Sequence, residues 1–185
     1  MRLKPTELLI LFAIGAAGAL IGDAGAVSAQ TTRYLDHSVP FIWESPIWFP
    51  ALVGLGTVSV GMLRIRLGPT RPGFDLRLGI GAWSAVVAIY SITSLAGDDG
   101  TASVALVVTL GMITACFLAD VPGLICGLAA AVVGPIAEIV IVELDLSEYT
   151  AHNDSLFGVG LWLPGLYFAF GVAVARITEL MVDQE

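Results

Sequence analysis

Residues 123–142 read GLICGLAAAVVGPIAEIVIV, twenty consecutive positions with one acidic side chain, Glu138, and no basic one. A helix rises about 1.5 Å per residue, so roughly 20 such residues cross the ~30 Å hydrocarbon layer of a bilayer. The run reads as helix rather than strand, because a lone strand in lipid leaves its backbone N–H and C=O groups unpaired. Working outward, five more apolar runs of comparable length appear, at residues 8–29, 47–63, 78–96, 101–119 and 157–174. Pro5 and Thr6 suit the start of the first. The expected fold is all-α: a polytopic membrane protein whose residues 1–185 form a single six-helix transmembrane bundle.

Composition supports this. The 185 residues are 57% hydrophobic and 13% charged, with a mean hydropathy of +0.89, whereas soluble domains are about a quarter charged. Six spans leave only short loops and no room for a second, soluble domain. The start of the chain has a rival reading. Arg2 and Lys4, an apolar run and Val27-Ser28-Ala29 resemble a cleavable signal peptide. The length of the run, Asp23 and four glycines favour a retained helix.

Charge by loop sets the orientation. Arg2 and Lys4 lie before the first span, Arg64, Arg66, Arg71 and Arg77 between the second and third, and Arg176 after the last. Arg33 alone lies on the opposite side. Arg and Lys are retained on the cytoplasmic side during insertion, so both termini are expected in the cytoplasm. The acids Asp36, Glu44, Asp98, Asp99, Glu143, Asp145, Glu148 and Asp154 then fall outside.

Gly15, Gly18, Gly22 and Gly25 share one face of the first helix by their 3-4-3 spacing. Small residues let helix backbones approach closely in lipid, so this face is expected to pack against neighbours. Gly123, Gly127, Ala131 and Gly134 form a similar stripe on the fifth. Ile47-Trp48-Phe49-Pro50 and Leu161-Trp162-Leu163-Pro164 echo each other, but are too short to establish a repeat.

Ionisable groups within spans are costly and are functional candidates by default. Asp23 and Glu138 each lie about 15 residues into an outward-running helix, roughly 22 Å from its cytoplasmic end. Tyr90 reaches a similar depth, and Trp48, Pro50, Trp162 and Pro164 enter that layer from outside. Their convergence predicts a polar pocket for the head of a lipid. No Arg, Lys or His lies at that depth, so a neutral lipid is expected, a sterol or a glycerolipid. Two simpler readings stand beside it: Trp48 and Trp162 as an interfacial aromatic belt, and Asp23 reaching outer water. Pro135, three residues before Glu138, is expected to disturb the fifth helix. That would also suit a small transporter or channel using Asp23 and Glu138.

Asp120, in Ala119-Asp120-Val121-Pro122-Gly123, reads as a turn residue or a cap for the fifth helix. Cys116 and Cys126 lack metal or redox spacing and read as packing residues. His37 and His152 sit in loops without partner spacing. No phosphate loop, HExxH or GxSxG is present. No enzyme activity, cofactor, metal or nucleic-acid partner is therefore expected.

Five short motifs occur in a telling order. They are Trp48-Phe49-Pro50, Arg66-Leu67-Gly68-Pro69, Asp120 with Gly123, Glu148-Tyr149-Thr150 and Trp162-Leu163-Pro164. Together, across residues 40–180, they resemble the insulin-induced gene (Insig) family, here as a bacterial homologue. The resemblance implies six membrane helices with cytoplasmic ends and a non-enzymatic, lipid-responsive regulator. Animal members are oxysterol-responsive regulators of the endoplasmic reticulum that bind sterol-sensing domains of an escort protein and of HMG-CoA reductase. By the same resemblance Asp120 matches an aspartate needed for partner binding, which implies a membrane-protein partner; a homo-oligomer is the alternative. Val121-Pro122 replaces the basic, serine-containing turn of animal members, and Glu138 falls near a neutral polar residue of theirs. The scaffold and a lipid-sized cavity carry over best.

Intact-mass measurement of the purified protein is expected to return the full chain; a mass lacking residues 1–29 would establish cleavage.

Overall fold

The computed structural model describes residues 3–35, 37–71, 75–95, 100–150 and 153–182. Arg2, Asp36, Asp98, Asp99 and His152, with Ala96 at the end of the third predicted span, lie outside the described residues. Six helices account for most of the remainder: α1 (Pro5–Ser28), α2 (Trp48–Arg66), α3 (Leu76–Leu95), α4 (Gly100–Leu118), α5 (Val121–Glu143) and α6 (Leu163–Met181). Each is long and apolar enough to cross a membrane. Four short strands add what the sequence did not announce: β1 (Thr32–Tyr34), β2 (Phe41–Ile42), β3 (Ser45–Pro46) and β4 (Ser147–Tyr149). β1 pairs antiparallel with β4 and β2 with β3.

The first and last described residues lie at one end of the bundle, the terminal end, where Leu3 and Met181 pack around Leu118 and Ile177. The paired strands close the other, the sheet end. Between them α6 is the central helix: 67% of its span is buried, against 39% or less for every other. It packs most extensively on α5 and also touches α2, α3 and α4. The other helices turn large apolar side chains outward, including Leu9, Leu55, Phe117, Leu128 and Val133. In water this would be an aggregation surface; against lipid tails it is the expected exterior.

The helix boundaries depart most from expectation in α6, predicted at 157–174 and found at Leu163–Met181. Phe157 and Gly158 both take positive φ, 52° and 86°, which a right-handed helix excludes. Leu156 and Val159 form an isolated bridge there, and Pro164 in the first turn marks the true start. At the far end the helix continues through Arg176 and Glu179, because Arg176 pairs with Glu179 and Glu179 with Arg64 of α2. Pro135 also behaves otherwise than expected: α5 runs unbroken from Val121 to Glu143 with Pro135 inside it. The loss of one backbone donor is tolerated in a helix packed along its length.

The glycine face of α1 is a packing face. A Cβ on Gly15 would lie 2.0 Å from the Thr57 hydroxyl on α2, and one on Gly22 would lie 1.9 Å from the Tyr90 ring on α3. Gly18 meets Trp83 and Gly25 meets Ser94, both also on α3. Gly127 and Gly134 likewise admit Phe168 and Tyr167 of α6 against α5. Gly22→Ala is expected to lower stability by about 1–3 kcal/mol through overpacking. Gly56→Ala, where an added Cβ meets nothing within 4 Å, is expected to keep stability or raise it by up to about 1 kcal/mol. Thermal unfolding of the two variants in one detergent distinguishes them.

Candidate functional site

Asp23 and Glu138 are held by the elements that close the sheet end. Asp23 sits in the last turns of α1, 2% exposed. Tyr34 of β1 donates its hydroxyl to Asp23 Oδ2 at 2.9 Å, and Ser45 of β3 donates to the same oxygen. Glu138, on α5, accepts from the Tyr167 hydroxyl of α6 at 2.8 Å on Oε1 and from the Tyr149 hydroxyl of β4 at 3.3 Å on Oε2. The β1–β4 register sets Thr32 opposite Tyr149 and Tyr34 opposite Ser147. One small sheet therefore carries both loop tyrosines, and each reaches down to a different membrane carboxyl. Arg33 and Glu148, opposite each other on that sheet, form an ion pair facing away.

Burial, then the nearby Asp23 charge, pushes the Tyr34 hydroxyl above its ordinary pKa. Burial and the Glu138 charge do the same to Tyr149. Both phenols therefore keep their protons and act as donors throughout the physiological range.

Two cavities lie toward the terminal end from these tyrosines. One, of about 70 Å³, sits among α1, α2, α3 and α6, walled by Ile14, Gly18, Trp83, Val87, Leu166 and Ile177 with Tyr90 and Glu138 at its polar end. The other, of about 370 Å³, lies between α2 and α5, with Leu52, Leu55, Val60, Ala129 and Val133 in its walls. Phe49, Val53, Glu138, Tyr167 and Phe170 belong to both. Leu52, Leu55 and Val133 are 42%, 58% and 65% exposed, so the larger cavity opens on the lipid-facing flank between α2 and α5. Among the described residues, no Lys, Arg or His lines either space.

The predicted site residues divide into two groups. Asp23, Trp48, Tyr90 and Glu138 converge on one small polar chamber beneath the β1–β4 sheet. Of these, Tyr90 and Glu138 also face the cavities. Trp162 and Pro164 line neither. Because α6 starts late, Trp162 is its N-cap residue and turns into the core, 2% exposed, between Tyr90 and Tyr149. Its ring N–H donates to Asn153 Oδ1 at 3.3 Å. Pro164 occupies the first turn of α6. Tyr34, Ser45, Tyr149 and Tyr167 were missed as partners of the acids. The only available signal was that buried carboxyls need donors and these hydroxyls lie at span ends.

At the terminal end a second polar cluster joins four segments. Arg64 of α2 is fully buried and donates through Nε to Glu179 Oε1 of α6 at 2.7 Å. Its other nitrogens reach the Gly68 and Pro69 carbonyls at 3.3 and 3.1 Å. Gly68, at φ 138°, supplies the conformation that folds this loop back around the guanidinium. Arg71 donates to Glu179 Oε2 at 2.9 Å and to the Leu118 carbonyl at 2.6 Å, and Arg176 donates to Glu179 Oε2 at 2.6 Å. Asp120 caps α5 by accepting from the Gly123 N–H at 2.8 Å and pairs with Arg64 at 3.1 Å. Partial burial pushes the Asp120 carboxyl up, but the Gly123 N–H, Arg64 and Arg71 outweigh it and hold the pKa below the usual carboxylate value. Its contribution to stability is thus fully present above the ordinary aspartate range and is lost as pH falls through the depressed value. Glu179 went unread in the sequence because it lies beyond the predicted end of α6.

His37 packs against Phe41, with ring centroids 5.3 Å apart. Cys126 is buried and Cys116 exposed, both as free thiols. No group of three or more His, Cys, Asp or Glu suited to a metal ion occurs among the described residues.

Six membrane-length helices with an apolar exterior and buried, internally paired charges define a polytopic integral membrane protein. Comparison with known proteins narrows the class. No protein-family model matches the chain. An INSIG protein homolog from Mycolicibacterium vanbaalenii is 45% identical over 183 residues, covering 98% of this chain and 90% of the relative. The crystal structure of MvINS, a mycobacterial Insig homolog from Mycobacterium vanbaalenii, superposes with a TM-score of 0.94 at 44% identity over 98% of this chain and 96% of that one. A cross-linked trimer of an arginine-to-cysteine variant of MvINS gives the same TM-score of 0.94 at 43% identity, with the same coverage of 98% and 96%. The chain belongs to the Insig family.

Removing one partner of a buried ion pair leaves the other uncompensated, at a cost of about 3–5 kcal/mol. Glu179→Ala is therefore expected to destabilise the bundle by about that much. Glu148→Ala, which removes half of an exposed pair, is expected to cost under about 1 kcal/mol. Thermal unfolding in detergent measures both.

Proposed function

We propose that the protein is a non-enzymatic lipid-binding regulator that holds one neutral amphiphile, a sterol or a glycerolipid, in the paired cavities. The observation that carries this reading is the shared wall at Glu138 and Tyr167. There two apolar spaces meet a single carboxyl held by hydroxyl donors. A ligand with a hydroxyl or ester head suits that wall, and its hydrocarbon tail suits the remainder. An anionic head would face Glu138 without a compensating base. The opening between α2 and α5 offers entry from the bilayer, so the ligand need not pass through water.

A regulator must offer different surfaces with and without its ligand, and a ligand achieves this only by binding two arrangements unequally. The weakly packed α2–α5 seam is the natural place for that difference. The terminal-end cluster carries it onward, because Arg64 on α2 is bonded to α6 and to the α4–α5 turn. Asp120 then serves a membrane-protein partner by holding that turn in place, its carboxyl already engaged by Gly123 and Arg64. The cross-linked trimer of the MvINS variant supports self-association as the alternative partnership. The arginine and lysine count supports cytoplasmic termini, and the mycobacterial relative supports a bacterial plasma membrane.

Ion carriage through Asp23 and Glu138 has less support. Both acids line one chamber, but the walls from Glu138 to the terminal end are apolar and α5 is unbroken. A nucleophile paired with a base, which catalysis would need, is not evident among the chamber residues.

Glu138→Ala is expected to reduce co-purified lipid several-fold while the protein still elutes as a folded species. Glu138→Gln, which keeps an acceptor for Tyr167, is expected to retain more. Native mass spectrometry of all three proteins reads this directly, and equal lipid carry-over would refute the pocket.

A further inference from the structure

Beneath the β1–β4 sheet lies a separate chamber of about 10 Å³, room for one particle the size of a water molecule. Asp23 from α1 and Glu138 from α5 both face it, together with Tyr34, Tyr90, Tyr149 and Thr32. Two features make it more than a gap. First, its described walls hold two carboxyls and no Lys, Arg or His. A carboxylate buried without a counter-charge is strongly unfavourable. Second, the Thr32 hydroxyl is buried without a hydrogen-bond partner, in a residue only 9% exposed. Such an orphan in a native interior calls for an ion or a water beside it.

We propose that this chamber binds a single monovalent cation of sodium size. The donor set is made only of hard oxygens, carboxylate and hydroxyl, the chemistry that takes up alkali and alkaline-earth ions. A single positive charge leaves the chamber neutral when one of its two carboxyls keeps its proton, and among the described residues no group of three or more His, Cys, Asp or Glu suited to a metal ion occurs. The cation offsets the charge of the ionised carboxyl, bridges α1 and α5, and gives the Thr32 oxygen a partner. It also fastens the sheet over the bundle, since Thr32 lies on β1 and Tyr149, opposite it on β4, bonds Glu138. Asp23 and Thr32 line neither lipid-facing cavity, whereas Glu138 is shared with both and Tyr90 with the smaller, so the test is made at Asp23 and Thr32.

A ligand L that binds only the folded state stabilises it by RT ln(1 + L/Kd), so the melting temperature keeps climbing with the logarithm of ligand concentration above Kd. Thermal unfolding in detergent, in sodium chloride against N-methyl-D-glucamine chloride at equal ionic strength, is the test. Wild type is expected to melt higher in sodium, by an amount that grows with the logarithm of sodium concentration once the site is filled. Asp23→Asn is expected to lose the rise, and Thr32→Val to shift it to higher sodium. Equal melting in the two salts would overturn the proposal and leave water as the occupant. So would a wild-type sodium response in either variant. Should Asp23→Asn fail to fold, wild type and Thr32→Val still decide the matter.

Discussion

A charged group buried inside this bundle is costly unless a partner meets it there, because neither lipid nor the apolar core supplies one. That constraint places the two clusters. At the terminal end, Arg64 is enclosed completely and would be prohibitively costly alone. Glu179, Asp120 and the Gly68–Pro69 carbonyls surround it, and in doing so they lock α2, α6, the α4–α5 turn and the α2–α3 loop together. At the sheet end, Asp23 and Glu138 face the same difficulty with no arginine to hand. Hydroxyls answer it there, delivered by strands and by α6. The chain is thus pinned at both ends by polar networks and left loosely filled between them.

That arrangement explains where empty space can survive. Close packing is enforced along α5–α6 and α1–α2–α3 by glycines whose missing Cβ atoms admit Phe168, Thr57 and Tyr90. The α2–α5 seam has no comparable interlock, and the larger cavity lies there. Under the proposed reading, an uncharged amphiphile suits such a site because it would gain apolar burial along the walls and donate to one acceptor at the end. Binding at that seam would be felt at the terminal end through Arg64, in the last turn of α2.

Much of the architecture was legible because the bilayer imposes a length and an apolar composition on each span. Residues 123–142 could hardly be anything but a span, and α5 is found at Val121–Glu143. The miss in α6 has a local cause. Phe157 and Gly158 are apolar or neutral and continue the hydropathy of the span, while their positive φ values end any helix. Glu179 and Arg176 are charged and discourage a span, while their mutual pairing allows one. Hydropathy sees neither conformation nor pairing. For the same reason the depth of Asp23, Tyr90 and Glu138 could be counted along helices, whereas Trp162 could not be placed. Its direction depends on which residue opens α6. The hydroxyl donors to the acids arrive from strands too short to leave a pattern.

The central claim is that an uncharged lipid occupies the space beside Glu138. The most direct measurement is quantitative lipid analysis of the detergent-purified protein beside an unrelated membrane protein from the same cells, carried through identical steps. The account predicts near-stoichiometric enrichment of one neutral lipid class in this protein alone. A lipid profile indistinguishable from that of the control would contradict it.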